Sequence, residues 1–354
     1  MVHERKLIVI AVGTFIFTCF LVNVFTTIPD SDAPAPPNEE VASLLSNSLS
    51  PGNFTWFSPF LLESLPPNDS SQLINITNFE FLINPPCSES PYIVVVHSAP
   101  GNYDKRHLIR STWGSRVPLY FFFGETATNQ TLLDTESAEY HDVVQGSFID
   151  SYRNLTYKHT MVFKWVLYNC PRVRYVLKID DDVFINVAKL DEFLTQTLSP
   201  YGTRNLLMCT EVFVDQLAIR TYRSKWRVSF AEYPHRLYPP YCIGASLLYS
   251  PDIMFKLYQS LQQDGKYFWV DDVFITGIVF SNLNLTHSEF NWWTGKQKSL
   301  IQVLSKEDLL KFNPHRDLLA LILEPNYVKK FEYLYNVTYL QSGLNQSTLE
   351  IPIF

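Results

Sequence analysis

The stretch Tyr175-Val-Leu-Lys-Ile-Asp-Asp-Asp-Val-Phe-Ile-Asn186 decides the fold that we predict for this chain. Its first five residues are mostly apolar and β-favouring, which predicts a buried strand. Three carboxylates follow directly, those of Asp180, Asp181 and Asp182. Carboxylates at the carboxyl end of such a strand would lie on the rim of a sheet, where open α/β folds bind their ligands.

The acidic triplet has two interpretations. Adjacent carboxylates repel one another unless a cation or a hydrogen-bond network stabilises them. Oxygen ligands of this kind suit Mg²⁺ or Mn²⁺, which proteins hold through one or two carboxylates plus substrate phosphates. A solvated acidic turn is the alternative for an isolated triplet. An EF-hand loop does not fit, because the alternating ligand spacing and the central glycine are missing.

Strand and helix patterns alternate on both sides of this stretch. Short apolar runs bounded by turn residues predict buried strands, and a period of three to four residues predicts helices. The predicted strands are 92–97, 119–123, 142–145 and 175–179, and the predicted helices are 106–113, 132–140, 154–168, 187–198, 251–263 and about 271–280. This alternation predicts an α/β domain with a mainly parallel central sheet.

The overall composition is that of a globular protein with a sizeable core. The chain has 354 residues, of which 46% are hydrophobic and 15% aromatic. The formal net charge of -7 and the isoelectric point near 5.6 argue against nucleic-acid binding, since nucleic acids select basic surfaces. No internal repeat of solenoid or propeller period is visible in the sequence.

The amino terminus predicts a membrane anchor. Residues 7–28 form an uncharged, mostly apolar run of 22 residues, which spans a bilayer at about 1.5 Å per residue. A cleaved signal peptide, the alternative, has a shorter apolar core of about 7 to 15 residues and a small-residue cleavage site. Arg5 and Lys6 on the short side of the run predict that residues 1–6 are cytosolic and that the rest of the chain is lumenal.

A linker is expected between the anchor and the folded domain. Between residues 29 and 91 the sequence contains 11 of the chain's 22 prolines, together with many Ser, Asn and Thr residues. Such a composition resists a packed core and behaves as a semi-rigid spacer. We therefore predict a stem over 29–90 and a lumenal domain over 91–354.

Two further features fit the lumen of the secretory pathway. Four cysteines follow Cys19, and an even number in an oxidising compartment favours disulfides. Four cysteines can form two disulfides in three ways, of which we favour Cys87–Cys170 and Cys209–Cys242. A cysteine metal site is less favoured because no pair has CxxC spacing. Eight Asn-x-Ser/Thr sequons follow the apolar run and fit glycosylation. They are Asn53, Asn68, Asn75, Asn129, Asn154, Asn284, Asn336 and Asn345.

A second acidic pair, Asp271 and Asp272, opens the predicted helix near residue 271. Carboxylates at a helix start are stabilised by the helix dipole, which is a purely structural explanation. Combined with a metal-type triplet upstream, the pair also offers a carboxylate that is free to act as a general base.

Six short blocks of sequence match the pattern of a known family. The blocks are Arg106-His-Leu-Ile-Arg110-Ser-Thr112-Trp113, Phe148-Ile-Asp150-Ser-Tyr152-Arg-Asn154-Leu-Thr156-Tyr-Lys158, Lys164-Trp165 with Cys170, Lys178-Ile-Asp-Asp-Asp-Val-Phe-Ile-Asn186, Tyr238-Pro-Pro-Tyr-Cys242-Ile-Gly244 and Asp271-Asp272-Val-Phe. In this order, over roughly residues 90 to 280, they resemble the β-1,3-galactosyltransferase family, glycosyltransferase family 31.

The resemblance implies a Rossmann-like GT-A fold and an inverting transfer of galactose or an N-acetylhexosamine from a UDP-sugar to a glycan acceptor, with a β-1,3 linkage. It also implies a type II Golgi membrane enzyme of protein or lipid glycosylation that uses Mn²⁺ or Mg²⁺. A divalent ion would neutralise the charge that develops on the diphosphate leaving group. By the family's pattern, Asp182 binds the metal, Asp180 faces the ribose and uracil, and Asp272 takes the proton of the acceptor hydroxyl.

Other substrate contacts are expected around these carboxylates. Arg106 and Arg110 are expected to lie towards the nucleotide, although surface ion pairs explain their spacing equally well. Aromatic faces pack well on sugar rings, so Trp226 and Tyr241 are candidates for sugar subsites, with core packing as the equal alternative. The remaining residues expected to bind substrate or support its site are Lys158, Asp181, Gly244 and Asp271.

The chain departs from the family pattern at two places. After Cys242 the family continues with serine and several glycines, whereas this chain has Ile243-Gly244-Ala245-Ser246, which adds side chains where the backbone normally approaches a ligand. Relatives often have a metal-binding histidine near the carboxyl end. Gln302 falls at that position, and an amide oxygen binds Mn²⁺ less well than imidazole. His287 is the alternative histidine.

Three functional classes therefore remain open. The leading one is the glycosyltransferase. A catalytically weak or inactive relative would act as a lumenal glycan-binding or partner protein, and a metal-dependent phosphohydrolase would use the same acidic clusters. The sequence does not determine the donor sugar, the acceptor or the oligomeric state, a homodimer included.

Overall fold

The computed structural model describes residues 62–290, 300–303, 306–315, 317–322 and 326–340, all of which belong to one compact unit, Leu44–Phe354. Its strands are β1 (Phe81–Ile83), β2 (Tyr92–His97), β3 (Leu119–Glu125), β4 (Val143–Ile149), β5 (Tyr175–Asp180), β6 (Val183–Ile185), β7 (Leu207–Cys209), β8 (Val212–Phe213), β9 (Tyr241–Cys242), β10 (Ser246–Tyr249), β11 (Ser288–Glu289), β12 (Leu300–Val303) and β13 (Leu319–Ile322). Its α-helices are α1 (Tyr103–Ser111), α2 (Gln130–Tyr140), α3 (Leu155–Asn169), α4 (Val187–Glu192), α5 (Pro251–Asp264), α6 (Phe280–Asn282), α7 (Lys306–Leu310) and α8 (Tyr327–Tyr335). Short 3₁₀ turns occupy Leu62–Ser64, Asp69–Ser71, Trp113–Arg116 and Tyr152–Asn154, and π-helical segments occupy Phe193–Leu198, Asp272–Val279 and Asn336–Leu340.

Within the described ranges, eight strands form the central sheet, in the order β1-β4-β3-β2-β5-β10-β7-β11. The neighbours β4, β3, β2 and β5 are parallel, and β11 is parallel to β7. β1 and β10 run antiparallel to the strands beside them. The predicted α/β domain is thus confirmed as a mixed, mainly parallel sheet within the part of the chain that the structure describes.

Alternate side chains of the central strands enter cores on opposite faces of the sheet. In β2, Ile93 and Val95 belong to one core, and Val94 and Val96 belong to the other. Helices α3 and α5 contribute to the first core, and α1, α4 and α8 contribute to the second. Because both faces are covered, these strands read as continuous apolar runs rather than as alternating patterns.

The register of the sheet places the acidic triplet at its edge. β2 and β5 are aligned so that His97, the last residue of β2, lies opposite Asp180, the last residue of β5. Parallel strands end at the same edge, so the loop after β2 and the triplet after β5 are neighbours. The sequence therefore placed the triplet correctly on a strand end.

The chain leaves the central sheet directly after the triplet. β6 joins β13 and β12 in a separate three-stranded sheet, antiparallel to β13, which is parallel to β12. The backbone amide of Ile322 donates to the Asp182 carbonyl at 2.8 Å. This small sheet holds the carboxyl-terminal elements beside the acidic triplet.

Residues 62–90, which the sequence assigned to the stem, pack against the folded domain. β1 pairs with β4 at one edge of the central sheet, and Leu73 and Phe79 are buried in the first core. The buried Asp69 carboxylate accepts hydrogen bonds from the hydroxyls of Tyr168 at 2.6 Å and Tyr258 at 2.7 Å. The last part of the predicted stem is thus a component of the folded unit.

Two disulfides, Cys87–Cys170 and Cys209–Cys242, join the pairs that the sequence analysis favoured. The first connects the segment before β2 to the end of α3. The second connects β7 to β9, so it ties the central sheet to the short β8–β9 ribbon.

No helix within the described ranges is long and apolar enough to cross a membrane. The predicted anchor at 7–28, the tail at 1–6, and the sequons at Asn53 and Asn345 lie outside those ranges. Among the described sequons, Asn68, Asn75, Asn284 and Asn336 are exposed, whereas Asn129 and Asn154 are half-buried.

Candidate active site

The Asp180 side chain is 42% exposed, whereas that of Asp181 is 9% exposed. The buried Lys178 Nζ donates to Asp180 Oδ1 at 2.8 Å and to the Gly244 carbonyl at 2.7 Å. Desolvation raises the pKa of Asp180, and the charges of Asp271 and Asp181 add to this, while Lys178 acts in the opposite direction. Lys178 thus links the triplet to the backbone of residue 244.

Asp181 is buried and engaged within the protein. Its Oδ2 accepts hydrogen bonds from Ser98 Oγ at 2.7 Å and Asn102 Nδ2 at 2.8 Å, and its Oδ1 lies 3.5 Å from Lys105 Nζ. Hydrogen bonds to a charged acceptor are roughly twice as strong as neutral ones. Asp181 therefore fixes the loop after β2 and the start of α1 to the end of β5, which is a supporting position.

Asp182 lies beside two other carboxylates. Desolvation raises its pKa to about 7, and the charges of Asp180 and Asp181 add to this, whereas Lys105 opposes it. A divalent cation would relieve this repulsion, so the donor chemistry fits Mn²⁺ or Mg²⁺. Among the described residues, no three His, Cys, Asp or Glu side chains are grouped to hold a metal ion. An ion held by one or two carboxylates and a diphosphate does not need such a group.

Gln302 lies on β12, in register with Leu321 of β13, which is itself paired with Val183 of β6. Its backbone is thus two strands away from the residue that follows Asp182, roughly 10 Å at about 4.8 Å per strand. The Gln302 side chain is outside what the structure describes, so its role as a metal ligand stays a prediction.

His287, the alternative histidine, has its Nε2 engaged elsewhere. Its Nε2 lies 2.6 Å from the Thr276 carbonyl, and its ring packs on Phe280 with centroids 4.4 Å apart. A carbonyl only accepts, so Nε2 carries a proton and is not free to bind a metal ion.

Asp271 precedes the π-helical segment Asp272–Val279 and contacts a buried histidine. His159 Nδ1 lies 3.0 Å from Asp271 Oδ2, and His159 Nε2 lies 3.0 Å from the Tyr249 hydroxyl. Burial acts to raise the pKa of Asp271, but the contact with His159 and the charge of Lys178 lower it below its usual value. Asp271 is thus the ionised member of the acidic pair.

Asp272 has the opposite electrostatic balance. Burial and the neighbouring Asp271 charge raise its pKa to about 7. Its Oδ1 accepts a hydrogen bond from the Val273 amide at 2.7 Å. A carboxyl group with a pKa near neutrality is well suited to accept a proton at neutral pH.

The structure brings the two acidic clusters together, although they are far apart in sequence. The charge of Asp180 contributes to the raised pKa of Asp272, and the charge of Asp271 contributes to that of Asp180. The antiparallel pairing of β10 with β5 brings Gly244, which precedes β10, alongside the end of β5, and Gly244 lies against Asp272. The sequence analysis assigned metal binding to the triplet and proton transfer to the pair, and two neighbouring but distinct clusters are compatible with that division.

An aromatic side chain that the sequence analysis did not single out, Tyr152, lies at the same site. Desolvation and the charges of Asp271, Asp272 and Asp180 raise its pKa to about 12, while a hydrogen bond with Trp226 opposes the shift. Tyr152 and Trp226 are both 46% exposed. Trp226, a predicted sugar contact, therefore presents an accessible aromatic surface next to Tyr152.

Tyr241, the other aromatic candidate, is half-buried at the end of the β8–β9 ribbon. The Asp272 charge contributes to its raised pKa, after desolvation. Its ring packs against Phe213 and Tyr238, with centroid distances of 5.5 and 6.0 Å. Tyr241 thus lies near the candidate base but is largely committed to aromatic packing.

Arg106 is buried, and all of its hydrogen-bond donors are used inside the protein. Its Nε and Nη2 each donate to the Glu136 carboxylate at 2.7 Å. Nη1 also donates to Ser98 Oγ and the Ala99 carbonyl, and Nη2 donates to the Pro100 carbonyl. Arg106 therefore holds the loop after β2 and has no donor left for the predicted contact with a nucleotide.

Arg110 and Lys158 are also committed to internal ion pairs. Arg110 donates to both oxygens of Asp142 at 2.7 Å, and its Nη2 lies 2.7 Å from Glu136. Lys158 Nζ lies 2.8 Å from Asp150 Oδ2 and donates to the Ser98 carbonyl at 2.7 Å. The sequence analysis offered surface ion pairs as the alternative role of the two arginines. The structure shows ion pairs for them, but these pairs are buried.

Sequence reasoning missed three further residues of the site: Lys178, His159 and Tyr249. Lys178 offered a signal, because it is two residues before Asp180 on a strand and therefore points to the same face. A lysine within an otherwise apolar run is a further signal of a paired buried charge. His159 and Tyr249 offered none, since their contact joins α3 to β10.

These features define an α/β protein with two carboxylate clusters that converge at one edge of its central sheet. The sequence model described as Galactosyltransferase matches residues 104–291. The chain belongs to this family.

Individual relatives agree with this assignment. Beta-1,3-galactosyltransferase 1 of Homo sapiens is 32% identical over 243 residues, which cover 64% of this chain and 73% of the relative. Beta-1,3-galactosyltransferase 5 of Pan paniscus is 32% identical over 225 residues, which cover 60% of this chain and 73% of the relative.

Solved structures give only weak similarity. A glycosyltransferase involved in the glycosylation of the major capsid of PBCV-1 matches with a TM-score of 0.36 and 10% identity, over 69% of this chain and 98% of that chain. The galactosyltransferase LgtC in complex with donor and acceptor sugar analogs matches with a TM-score of 0.34 and 8% identity, over 72% and 98%. The assignment therefore rests on the sequence family.

Proposed function

We propose that this protein is an inverting glycosyltransferase of GT-A type, which moves galactose or an N-acetylhexosamine from a UDP-sugar to a glycan hydroxyl and forms a β-1,3 linkage. The observation that carries the proposal is the Asp272 carboxyl, whose pKa is raised to about 7, beside a second carboxylate cluster in a chain of this family. The β-1,3 linkage and the UDP donor come from the names of the relatives and from the sequence resemblance.

The chemistry requires a base on one side of the sugar and stabilised charge on the other. The acceptor oxygen forms a bond to the anomeric carbon, the bond from that carbon to the diphosphate oxygen breaks, and UDP leaves. The hydroxyl proton passes to Asp272. Inversion in one step needs the base on the face opposite the leaving group, so two carboxylate clusters with separate tasks fit this reaction.

Asp182 is the proposed metal ligand, with Gln302 as a second candidate. Bound Mn²⁺ or Mg²⁺ would neutralise developing charge on the diphosphate. Asp180 would face the ribose and uracil, and Asp181 would keep the loop after β2 in place. The raised pKa of Asp182 supports this assignment, because a group that is costly to ionise alone gains most from a cation.

Sugar binding is assigned to the aromatic side chains beside the carboxylates. Trp226 and Tyr152 are half-exposed, and an aromatic face packs well on a sugar ring. We place this enzyme in the Golgi membrane as a single-pass type II protein that modifies glycoproteins or glycolipids. The apolar run 7–28, the sequons and the two disulfides support that placement.

The test is a donor screen with the full chain, Mn²⁺ and each of several UDP-sugars, against acceptors that end in galactose, N-acetylglucosamine or N-acetylgalactosamine. Transfer and donor hydrolysis are both measured, and UDP binding is measured by calorimetry. We expect transfer from one donor. UDP binding without transfer would support the lumenal glycan-binding or partner role, which the departures at Gln302 and Ile243–Ala245 favour. Release of phosphate from simple esters would support the phosphohydrolase.

A further inference from the structure

A row of three polar side chains runs beneath the acidic pair. The Tyr249 hydroxyl of β10 lies 3.0 Å from Nε2 of His159 on α3, and Nδ1 of His159 lies 3.0 Å from Oδ2 of Asp271. Tyr249 and His159 are completely buried, so water does not compete for these contacts. Buried polar groups of this kind are retained only when each finds its partner.

The contacts define which nitrogen of His159 carries the proton. An ionised carboxylate only accepts hydrogen bonds, so Nδ1 must donate to Asp271. In a neutral ring, Nε2 is then the acceptor, and it receives the hydrogen bond of the Tyr249 hydroxyl. Burial lowers the pKa of His159; Asp271 opposes this shift and Lys178 adds to it, so the ring is neutral.

The surroundings of His159 come from four elements. Asp271 faces it from the start of the π-helical segment, and the ring of His97 stands nearly perpendicular to it, with centroids 5.3 Å apart. Lys178 and Asp180 act on it electrostatically from β5. The titratable and charged groups that face His159 are therefore Asp271, Tyr249, His97, Lys178 and Asp180.

We propose that His159, oriented by Tyr249, is a positioning residue that holds Asp271 as an ionised carboxylate, so that Asp272 is the member of the pair that takes the acceptor proton. The inference rests on the proposed function, because it concerns the same transfer. Two adjacent carboxylates in one buried site do not both ionise freely, so the partner that fixes one charge also decides where the proton goes. His159 itself takes no proton in the reaction.

Kinetics of His159 variants in the full chain test this role. His159→Leu removes the donor to Asp271, and we expect kcat to fall by about 10- to 100-fold with little change in the donor KM. His159→Asn keeps an N–H group near the position of Nδ1 and should recover part of the loss. Tyr249→Phe removes only the hydroxyl and carries the test if His159→Leu does not fold.

The pH profile of kcat separates positioning from a structural role. In the wild type, the acid limb follows loss of the single proton from Asp272. Without His159 that proton is shared with Asp271, so part of the Asp272 population is already ionised at lower pH. We therefore expect the acid limb to move to lower pH in His159→Leu and Tyr249→Phe. A fall in kcat with an unmoved limb overturns the proposal.

Tyr175→Phe is the matched control, since it removes a buried hydroxyl that bonds to the Ser199 carbonyl and Thr203 at the far end of β5. It should leave both kcat and the acid limb unchanged.

The tautomer gives a readout that does not depend on sugar transfer. Nitrogen-15 NMR of labelled histidine, with His159→Asn to assign the signal, should show His159 neutral with the proton on Nδ1 at pH 7. A proton on Nε2, or a charged ring, overturns the positioning role even if the chain transfers sugar. The Nδ1–H form in a chain that transfers no sugar would instead contradict the proposed function and leave the tautomer assignment correct.

Discussion

Gly244 lies against Asp272: a methyl group built on Gly244 would be 3.3 Å from Asp272 Cβ and 3.5 Å from Asp272 Oδ2. The Gly244 carbonyl also accepts the hydrogen bond of Lys178, which pairs with Asp180. The backbone at this one residue therefore touches the candidate base and is tied to the metal-type cluster. The flanking Ala245 is buried and its carbonyl accepts from the Asp180 amide at 3.3 Å, so it reinforces the same connection.

Gly244→Ala should impair catalysis more than folding. A contact of 3.3 Å is tighter than usual for a methyl group, so Asp272 must move by a few tenths of an ångström. We expect kcat to fall by about tenfold, because misplacement by about 1 Å costs about a hundredfold. The control is Gly101→Ala, whose new methyl group would meet only Asn129 at 3.9 Å. Wild-type kcat in Gly244→Ala would show that Asp272 tolerates displacement or is not the base.

Asp272→Asn should abolish transfer while UDP binding stays within about twofold of the wild type. The amide cannot take the proton of the acceptor hydroxyl, so we expect kcat to fall by about 10²- to 10⁴-fold. Radiolabelled sugar transfer and calorimetry of UDP binding measure the two effects. Asp264→Asn, at the exposed end of α5, is the matched control. Near-normal turnover in Asp272→Asn would show that Asp272 is not the general base.

The pH dependence of stability should differ between the wild type and Asp272→Asn. The pKa of Asp272 is raised to about 7 in the folded protein, against about 4 in an unfolded chain. A raised pKa contributes stability that is complete below about pH 4 and is lost as pH rises through about 7. Relative to the wild type, Asp272→Asn should therefore be more stable at pH 8 than at pH 5. Urea unfolding at both values measures this difference, and an equal difference at both would contradict the raised pKa.

Asp182→Ala should weaken the binding of UDP in the presence of Mn²⁺, by at least about tenfold, since loss of a metal ligand costs more than loss of a supporting residue. Binding without Mn²⁺ should change little. Calorimetric titrations with and without the ion make the comparison, and Asp134→Ala on the exposed face of α2 is the control. If Asp182→Ala and the wild type bound UDP equally well in the presence of Mn²⁺, Asp182 would not be a ligand of the ion.

Arg106→Met should act on stability rather than on nucleotide affinity. It leaves the buried Glu136 without its bidentate partner at 2.7 Å, and Arg110 is the cation that still contacts it. Breaking a buried ion pair costs up to about 3–5 kcal/mol when no other cation remains, so we expect a loss of about 2–4 kcal/mol. Arg172→Met, which loses an exposed pair with Glu89, should cost less than about 1 kcal/mol. Chemical unfolding measures both. If Arg106→Met were as stable as the wild type but bound UDP more weakly, the predicted contact between Arg106 and the nucleotide would be supported instead.

The local elements were predicted well wherever their pattern was self-contained. The strand predicted over 175–179 is β5, Tyr175–Asp180, and the helix predicted over 251–263 is α5, Pro251–Asp264. The strand predicted to end at residue 145 continues as β4 to Ile149. Gly146 lies within β4 and allows close packing, because a methyl group there would clash with Met161 Sδ.

The sequence by itself determined the buried strand, the acidic triplet at its end and the second acidic pair, because short-range hydrophobic pattern and residue chemistry specify these features. Only the tertiary structure decided what each charge does. It buried Arg106 against Glu136, brought His159 to Asp271 and Tyr249, and joined residues 62–90 to the folded unit. Each of these contacts joins segments distant in sequence, and the ionisation of a buried carboxylate depends on every charge around it rather than on its neighbours along the chain.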